Sequence, residues 1–251
     1  MKTTIVTGAS KGLGAALVKR LLELEHYVIG ISSSDPQSWQ ITSHAHFTPI
    51  QMDLSNPELL EEKWPLIESQ VMTSEPRSIH LIQNAGILEP IQPLGKGDVA
   101  GEIARGLRVN LMAPMMVMHM FIRYWQSWDT DKRIMNISSG AGRKPYPGWG
   151  MYCSSKAGID MMSRVGAVEQ ETQPHPVRIA SVAPGVIDTD MQTLIRTQTA
   201  EDFPPIARFH QLKEAGQLWS PTQAANLLID YLHSEKFGDE ALFDIRQWKI
   251  M

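Results

Sequence analysis

Tyr152 and Lys156 stand four residues apart in a stretch with helical patterning, so their side chains leave one face of the helix a turn apart. A phenol alone titrates near pH 10, and a neighbouring ammonium favours the phenolate, each pH unit being worth about 1.4 kcal/mol. A tyrosine tuned in this way can give a proton to a developing alkoxide, or take one from an alcohol, near neutral pH. Ser139 lies thirteen residues upstream, second in the pair Ser138-Ser139 that ends an apolar run. A hydroxyl there can hold a carbonyl oxygen. Tyr-x-x-x-Lys is common on helices, and alone it marks only a half-exposed amphipathic face. The serine and a glycine-rich turn near the start of the chain give it meaning.

That turn reads Thr7-Gly8-Ala9-Ser10-Lys11-Gly12-Leu13-Gly14, directly after the apolar run Thr3–Thr7 and before a helical pattern. Glycines at 8, 12 and 14 let a backbone bend sharply and approach a pyrophosphate, which the free N–H groups and positive end of the next helix attract. The spacing GxxxGxG is a variant of the dinucleotide fingerprint. A plain tight turn is the bland reading; the strand before and the helix after favour a cofactor. NAD-binding folds usually carry an acid near the end of the second strand, roughly 20 residues on, for the ribose 2′-hydroxyl. Here that strand ends Gly30-Ile31-Ser32-Ser33-Ser34, with Asp35 just beyond. Serines such as Ser32 can bond a 2′-phosphate without repelling it, and Lys11 can pair with it unless it is a solvated loop lysine. NADP(H) is expected ahead of NAD(H).

Elements able to position these residues recur along the chain. Short runs rich in Ile and Val are predicted strands: 3–7, 27–32, 47–52, 79–84, 133–138, 178–183 and 241–245. Several lack alternation, as strands buried on both faces do. Between them lie predicted helices at 12–24, 58–71, 99–109, 111–128, 152–171 and 222–234, two of them announced by Ser55-Asn56-Pro57 and Ser220-Pro221. The alternation implies right-handed crossovers. The expectation is α/β: one domain over 1–251, a Rossmann-type, doubly wound parallel sheet of about seven strands with helices on both faces. The stretch 190–220 is irregular, with short helices and loop, and is expected to be a lid over the site rather than a surface excursion.

The bulk composition narrows the classes. The 251 residues carry a net charge of −4, which points neither to nucleic acid nor to a polybasic membrane contact. No run approaches a membrane span, and the apolar part of the opening segment is too short for a signal-peptide core. The single cysteine, Cys153, excludes an internal disulfide and suits a reducing compartment, so a cytoplasmic protein is expected. The eight histidines show no metal-ligand spacing, and no metal is expected. Met112, Met115, Met116, Met118 and Met120 crowd one predicted helix, where packing or a subunit contact is the natural use. Trp149, just ahead of Tyr152, is either a pocket wall or simple packing.

Taken together, the glycine turn, Asn84-Ala85-Gly86, Asn110, Ser139, Tyr152, Lys156 and Pro184-Gly185 resemble the short-chain dehydrogenase/reductase family in order and spacing over nearly the whole chain. The segments 136–142, 146–153 and 184–191, with Ile195-Arg196, are similar to its sepiapterin reductase and bacterial benzil reductase branch. The resemblance implies roles. Ser139 would polarise the carbonyl, Tyr152 would be the acid/base, and Lys156 would bind the nicotinamide ribose and tune Tyr152. Asn110 would hold a water in a proton relay. Asp53 with Leu54 would meet the adenine amino group, and Asn84, Ala85 and Gly86 would line the adenine ribose side. Pro184 and Gly185 lead to Ile187 and Thr189, which would bind the carboxamide. A carboxylate near the C-terminus holds the pterin in sepiapterin reductases, and Asp244 is a loose match for it. Many NADP-dependent relatives in this branch have an arginine after the second strand, where this chain has Ser33 and Ser34. Relatives are mostly dimers or tetramers built on helices corresponding to 111–128 and 152–171.

The expected activity is NADPH-dependent reduction of a small-molecule ketone, in the range of aromatic diketones or a pterin side chain. The alternatives are an NAD-dependent alcohol dehydrogenase and a dinucleotide-sensing protein without turnover. A sensor typically loses the tyrosine or the lysine, and both are present here.

Overall fold

The computed structural model describes residues 1–39, 41 and 44–248. Its centre is one sheet of seven parallel strands: β1 (Lys2–Thr7), β2 (Tyr27–Ser32), β3 (Phe47–Gln51), β4 (Ser78–Gln83), β5 (Asp131–Ile137), β6 (Val177–Ala183) and β7 (Leu242–Asp244). Their order across the sheet is β3-β2-β1-β4-β5-β6-β7, and each neighbouring pair is parallel. The runs expected from the sequence differ from these strands by a residue or two at their ends.

Alternate residues of one strand feed two different cores. Val6, Ile82, Met135 and Val182 join α1 (Gly12–Glu23) and α8 (Pro221–His233) on one face through Leu17, Leu21, Leu228 and Leu232. Ile5, Leu81, Ile134 and Ile179 point the other way, onto α2 (Glu58–Thr73) and α4 (Ala113–Trp125), where Trp64, Phe121 and Trp125 are fully buried. Both faces are therefore dry, which is why the strands read as unbroken apolar runs. In the chain α3 (Ala100–Leu107) lies between α2 and α4, and α5 (Gly150–Gln170), α6 (Asp190–Arg196) and α7 (Ile206–Glu214) lie between α4 and α8. A third, smaller cluster sits beyond the C-terminal strand ends and contains Leu88, Trp149, Tyr152, Ile195, Phe203 and Phe209.

Two local features bear on the site. The sequence leads one to expect two helices broken at Asn110. Instead α3 continues into α4 through one π turn, Arg108–Met112, with Asn110 buried inside it. Such single-turn bulges often mark functional sites, because the extra residue re-aims a side chain. The stretch 190–220 holds two short helices, α6 and α7, and its end is fixed by a capping box. Ser220 Oγ accepts from Gln223 N–H while Gln223 Oε1 accepts from Ser220 N–H.

Candidate active site

The strand order reverses between β1 and β4, and the crevice outside the carboxyl ends at such a reversal is where open α/β sheets bind ligands. The glycine turn occupies this place. Gly8 and Gly12 have φ of +66° and +55°, a region L side chains rarely adopt. A Cβ on Gly14 would lie 1.9 Å from the Gly8 carbonyl oxygen, so only glycine lets the helix start so close beneath the strand. Asn84 braces the turn from β4: its Nδ2 donates to the Thr7 and Gly8 carbonyls at 3.2 and 3.1 Å. Thr7 Oγ1 in turn accepts from the N–H groups of Asn84 and Ala85. The first turn of α1 has no side-chain cap and no acid, so its N–H groups stay free for an anion.

Hydroxyls gather beside that turn. Ser10 Oγ lies 2.8 Å from Ser32 Oγ, and Ser32 Oγ 3.4 Å from Ser34 Oγ. Asp35 is turned into its own short helix, where its carboxylate accepts from Gln37 N–H. Lys11 stands on the rim and pairs with Asp190 at 3.2 Å, both side chains largely in solvent. Thr189 closes over the turn; a Cβ on Gly12 would be 3.5 Å from its methyl. Ile187 is held by pairing with Trp219, next to Gly185 at φ +81°.

Ser139 follows β5 and its hydroxyl accepts from Ala141 N–H at 3.1 Å. Tyr152 and Lys156 rise from the first turns of α5, both buried, with the Lys156 ammonium 5.7 Å from the centre of the Tyr152 ring. Lys156 Nζ donates to the Ile137 carbonyl at 2.8 Å. Burial drives the phenol of Tyr152 up to about 12, against the pull of the Ser139 hydroxyl. Burial also drives Lys156 down to about 8, against the favourable charge of Asp160. The four-residue interval alone suggests a lowered phenol; burial, which the interval does not show, raises it instead. Asn110 donates through Nδ2 to the Ile87 carbonyl and accepts through Oδ1 from Ile87 N–H, at 2.7 and 2.8 Å. Gly86 lies beside both groups: a Cβ there would be in ordinary contact with Asn110 Oδ1 at 3.5 Å and Lys156 Nζ at 3.8 Å.

All of this opens on one cavity of about 770 Å³. Its walls include Gly8, Ser10, Lys11, Gly12, Leu13, Ser32, Asp53, Leu54, Asn84, Ala85 and Gly86 at one end. Ser139, Trp149, Tyr152, Lys156, Pro184, Gly185, Ile187 and Thr189 line the other. Gly14 and Asn110 stand behind the wall, as supports. Asp244 is not brought there. Its carboxylate is folded onto Arg246, accepting from Nε at 2.9 Å and from the backbone N–H at 3.0 Å, and Arg246 is the residue that reaches the cavity. Trp149 is both wall and packing: it stacks on Phe203 at 4.5 Å and meets Tyr152 edge-on at 5.6 Å. Arg105, Lys144, Tyr146, Arg208 and Phe209, which nothing in the sequence marks as site residues, also line the space. Arg208 and Phe209 lie in α7, a helix too short and polar to show a pattern from which facing could be read.

A seven-stranded parallel sheet with a glycine turn under its first helix defines a Rossmann-type protein of the dinucleotide-binding class. The chain belongs to the short-chain dehydrogenase family, whose model, described as short chain dehydrogenase, matches residues 2–200. It is thus an oxidoreductase. Among its relatives is benzil reductase ((S)-benzoin forming) of Bacillus cereus, 39% identical over 242 residues that cover 94% of this chain and 96% of the relative. Sepiapterin reductase of Mus musculus is 30% identical over 253 residues, covering 96% and 95%. The crystal structure of KRED1-Pglu enzyme superposes with a TM-score of 0.82 at 31% identity, over 97% of this chain and 100% of that one. The branch suggested by segments 136–142, 146–153 and 184–191 is the one these relatives occupy.

Proposed function

We propose that the protein is an NADPH-dependent carbonyl reductase acting on small ketones and vicinal diketones. The observation that carries this reading is the meeting of Ser139, Tyr152 and Lys156 in the same cavity as the uncapped glycine turn. The cavity suits the cofactor: its pyrophosphate end has the uncapped N–H groups of α1, and its other end has the tyrosine. The bound nicotinamide supplies the hydride. The chain does the rest. Ser139 Oγ holds the substrate oxygen, and Tyr152 delivers its phenolic proton to that oxygen as negative charge builds there. Lys156 holds the nicotinamide ribose and keeps positive charge beside the phenol, with Asn110 supporting a proton relay behind it. Ile187 and Thr189 hold the carboxamide. Asp53 and Leu54 receive the adenine, and Asn84 to Gly86 its ribose. Trp149 is the flat wall for an aromatic substrate.

The preference for NADPH over NADH rests on the Ser10–Ser32–Ser34 hydroxyls and Lys11, and on Asp35 being engaged elsewhere. A 2′-phosphate meets hydroxyl donors there, and Lys11 reaches it by exchanging its Asp190 partner for the phosphate. Helices α6 and α7 act as the lid; Met191, Leu194, Ile195 and Phe209 present its apolar underside to the cavity. Among the described residues no helix is long and apolar enough to cross a membrane. The free thiol of Cys153 suits the cytoplasm. Exposed Met115, Met161, Val165 and Val168 on α4 and α5 form an apolar face for a homodimer or homotetramer.

The test is a screen of diketones, pterins and steroids, following nicotinamide absorbance with NADPH and NADH in parallel. Turnover of an aromatic diketone with NADPH preferred is the expected result. Preference for NADH would overturn the cofactor assignment, and tight NADP binding without turnover on any carbonyl would overturn the reductase.

A further inference from the structure

At the end of the sheet away from the cavity, three histidines distant in sequence come together. His26 lies just before β2, His80 is the third residue of β4, and His233 ends α8. Each can offer one ring nitrogen, and those nitrogens lie within 4.8 Å of one another. His26 and His233 stack at 4.9 Å, and His80 leans on both at 5.9 and 5.6 Å. The polar atoms are in an unusual state. His80 is 1% exposed, and neither of its nitrogens has a hydrogen-bond partner. His233 Nε2 is buried and unpartnered too. An imidazole always carries at least one donor, and a neutral one also an acceptor, so such atoms are costly to bury unmatched. The rings are too far apart to satisfy one another.

We propose that His26, His80 and His233 form a binding site for a borderline divalent transition ion such as Zn²⁺, separate from the catalytic cavity. Neutral imidazoles are the ligands such ions prefer, and three of them leave a position for water. Bonds of about 2.0–2.1 Å bring tetrahedral nitrogens to about 3.4 Å apart, so the rings need to swing inward by roughly 1 Å. The surroundings suit this. Thr4 Oγ1 lies 2.9 Å from His26 Nδ1 and fixes that ring. The Asp131 carboxylate lies 3.8 Å from His80 Nε2 and is itself paired with Arg133 and Arg178. The cations that face the trio are Lys2 and Arg133. Arg133 is already engaged with Asp131 and with the Leu232 and Ser234 carbonyls. The ion would clamp the β1–α1–β2 unit, β4 and the end of α8 to one another.

The experiment uses the full chain freed of metal by a chelator, titrated with Zn²⁺ by calorimetry and with Co²⁺ by absorption. A single equivalent, an intense tetrahedral Co²⁺ spectrum and a raised Tm are expected. His233→Asn and His26→Asn should each weaken Zn²⁺ binding at least tenfold and remove the Tm gain, while His44→Ala leaves both intact. The wild-type Co²⁺ spectrum decides the matter even if a variant fails to fold. The site is overturned by absence of binding, by unchanged binding in His233→Asn, by loss of binding in His44→Ala, or by a thiolate band that places the ion at Cys153.

Discussion

Tyr152 and Lys156 show how far residue types and spacing go, and where burial takes over. Their shared helix face is legible from the interval alone. Their proton affinities are not, because these follow from how completely the fold dries them: the phenol rises to about 12 and the ammonium falls to about 8. The direction of the pH dependence follows. Tyr152 stays protonated across the working range, so a reduction never lacks its proton donor. The charge on Lys156 is what disappears, as pH rises through about 8. Accordingly kcat/KM for reduction should be flat below that value and fall above it; a pH–rate profile that climbs there instead would remove Lys156 from its role. Lys11 is tested by cofactor affinity. Lys11→Ala should weaken NADPH binding roughly tenfold, the loss of one charge-assisted contact, and leave NADH nearly unchanged, read by fluorescence titration. Asp244 is the opposite lesson. A strand-end carboxylate looks available in sequence, yet Arg246 two residues on claims it.

At the scale of elements, the strands are the most legible part: burial on both faces leaves short Ile/Val-rich runs, and their regular alternation with longer helical segments tells them from buried helix turns. The join of α3 and α4 is not legible. A π turn has no composition of its own, and Asn110 looks like a helix break until its side chain is seen bonded both ways to the Ile87 backbone. The glycine turn is legible in type but not in reason: the sequence shows three glycines, and the structure shows that Gly8 and Gly12 take positive φ while Gly14 makes room for the Gly8 carbonyl. Gly14→Ala is the sharpest probe of that turn. Its methyl would meet the Gly8 carbonyl at 1.9 Å, so the strand–helix junction must open. The variant should lose dinucleotide binding by at least an order of magnitude, beyond the roughly 0.5–1 kcal/mol by which alanine ordinarily differs from glycine in a helix. Wild-type affinity in Gly14→Ala would mean that the close approach is dispensable.

On the scale of the whole molecule, sequence-distant groups meet, and here the chain says least in advance. His26, His80 and His233 have no local spacing to betray them, and neither do Arg208 and Phe209 at the cavity. The two cores can be weighed directly. Trp64, on the inward face of α2, is fully buried, and Trp64→Ala should cost roughly 3–5 kcal/mol in denaturant unfolding while the folded fraction stays active. The apolar face of α4 and α5 carries its own prediction. Val165→Glu, at a half-exposed site remote from the cavity, should shift the protein to monomers in light scattering. A wild-type monomer at micromolar concentration would contradict that assembly.

The central claim is that the proton reaching the substrate oxygen comes from the Tyr152 phenol. Single-turnover oxidation of bound NADPH by an aromatic diketone, wild type against Tyr152→Phe, tests it most directly, with NADPH affinity measured on the same samples. The rate should fall by two to four orders of magnitude, in the range of a lost general acid, with affinity changed by less than about threefold. A Tyr152→Phe enzyme that turns over at the wild-type rate would contradict the account.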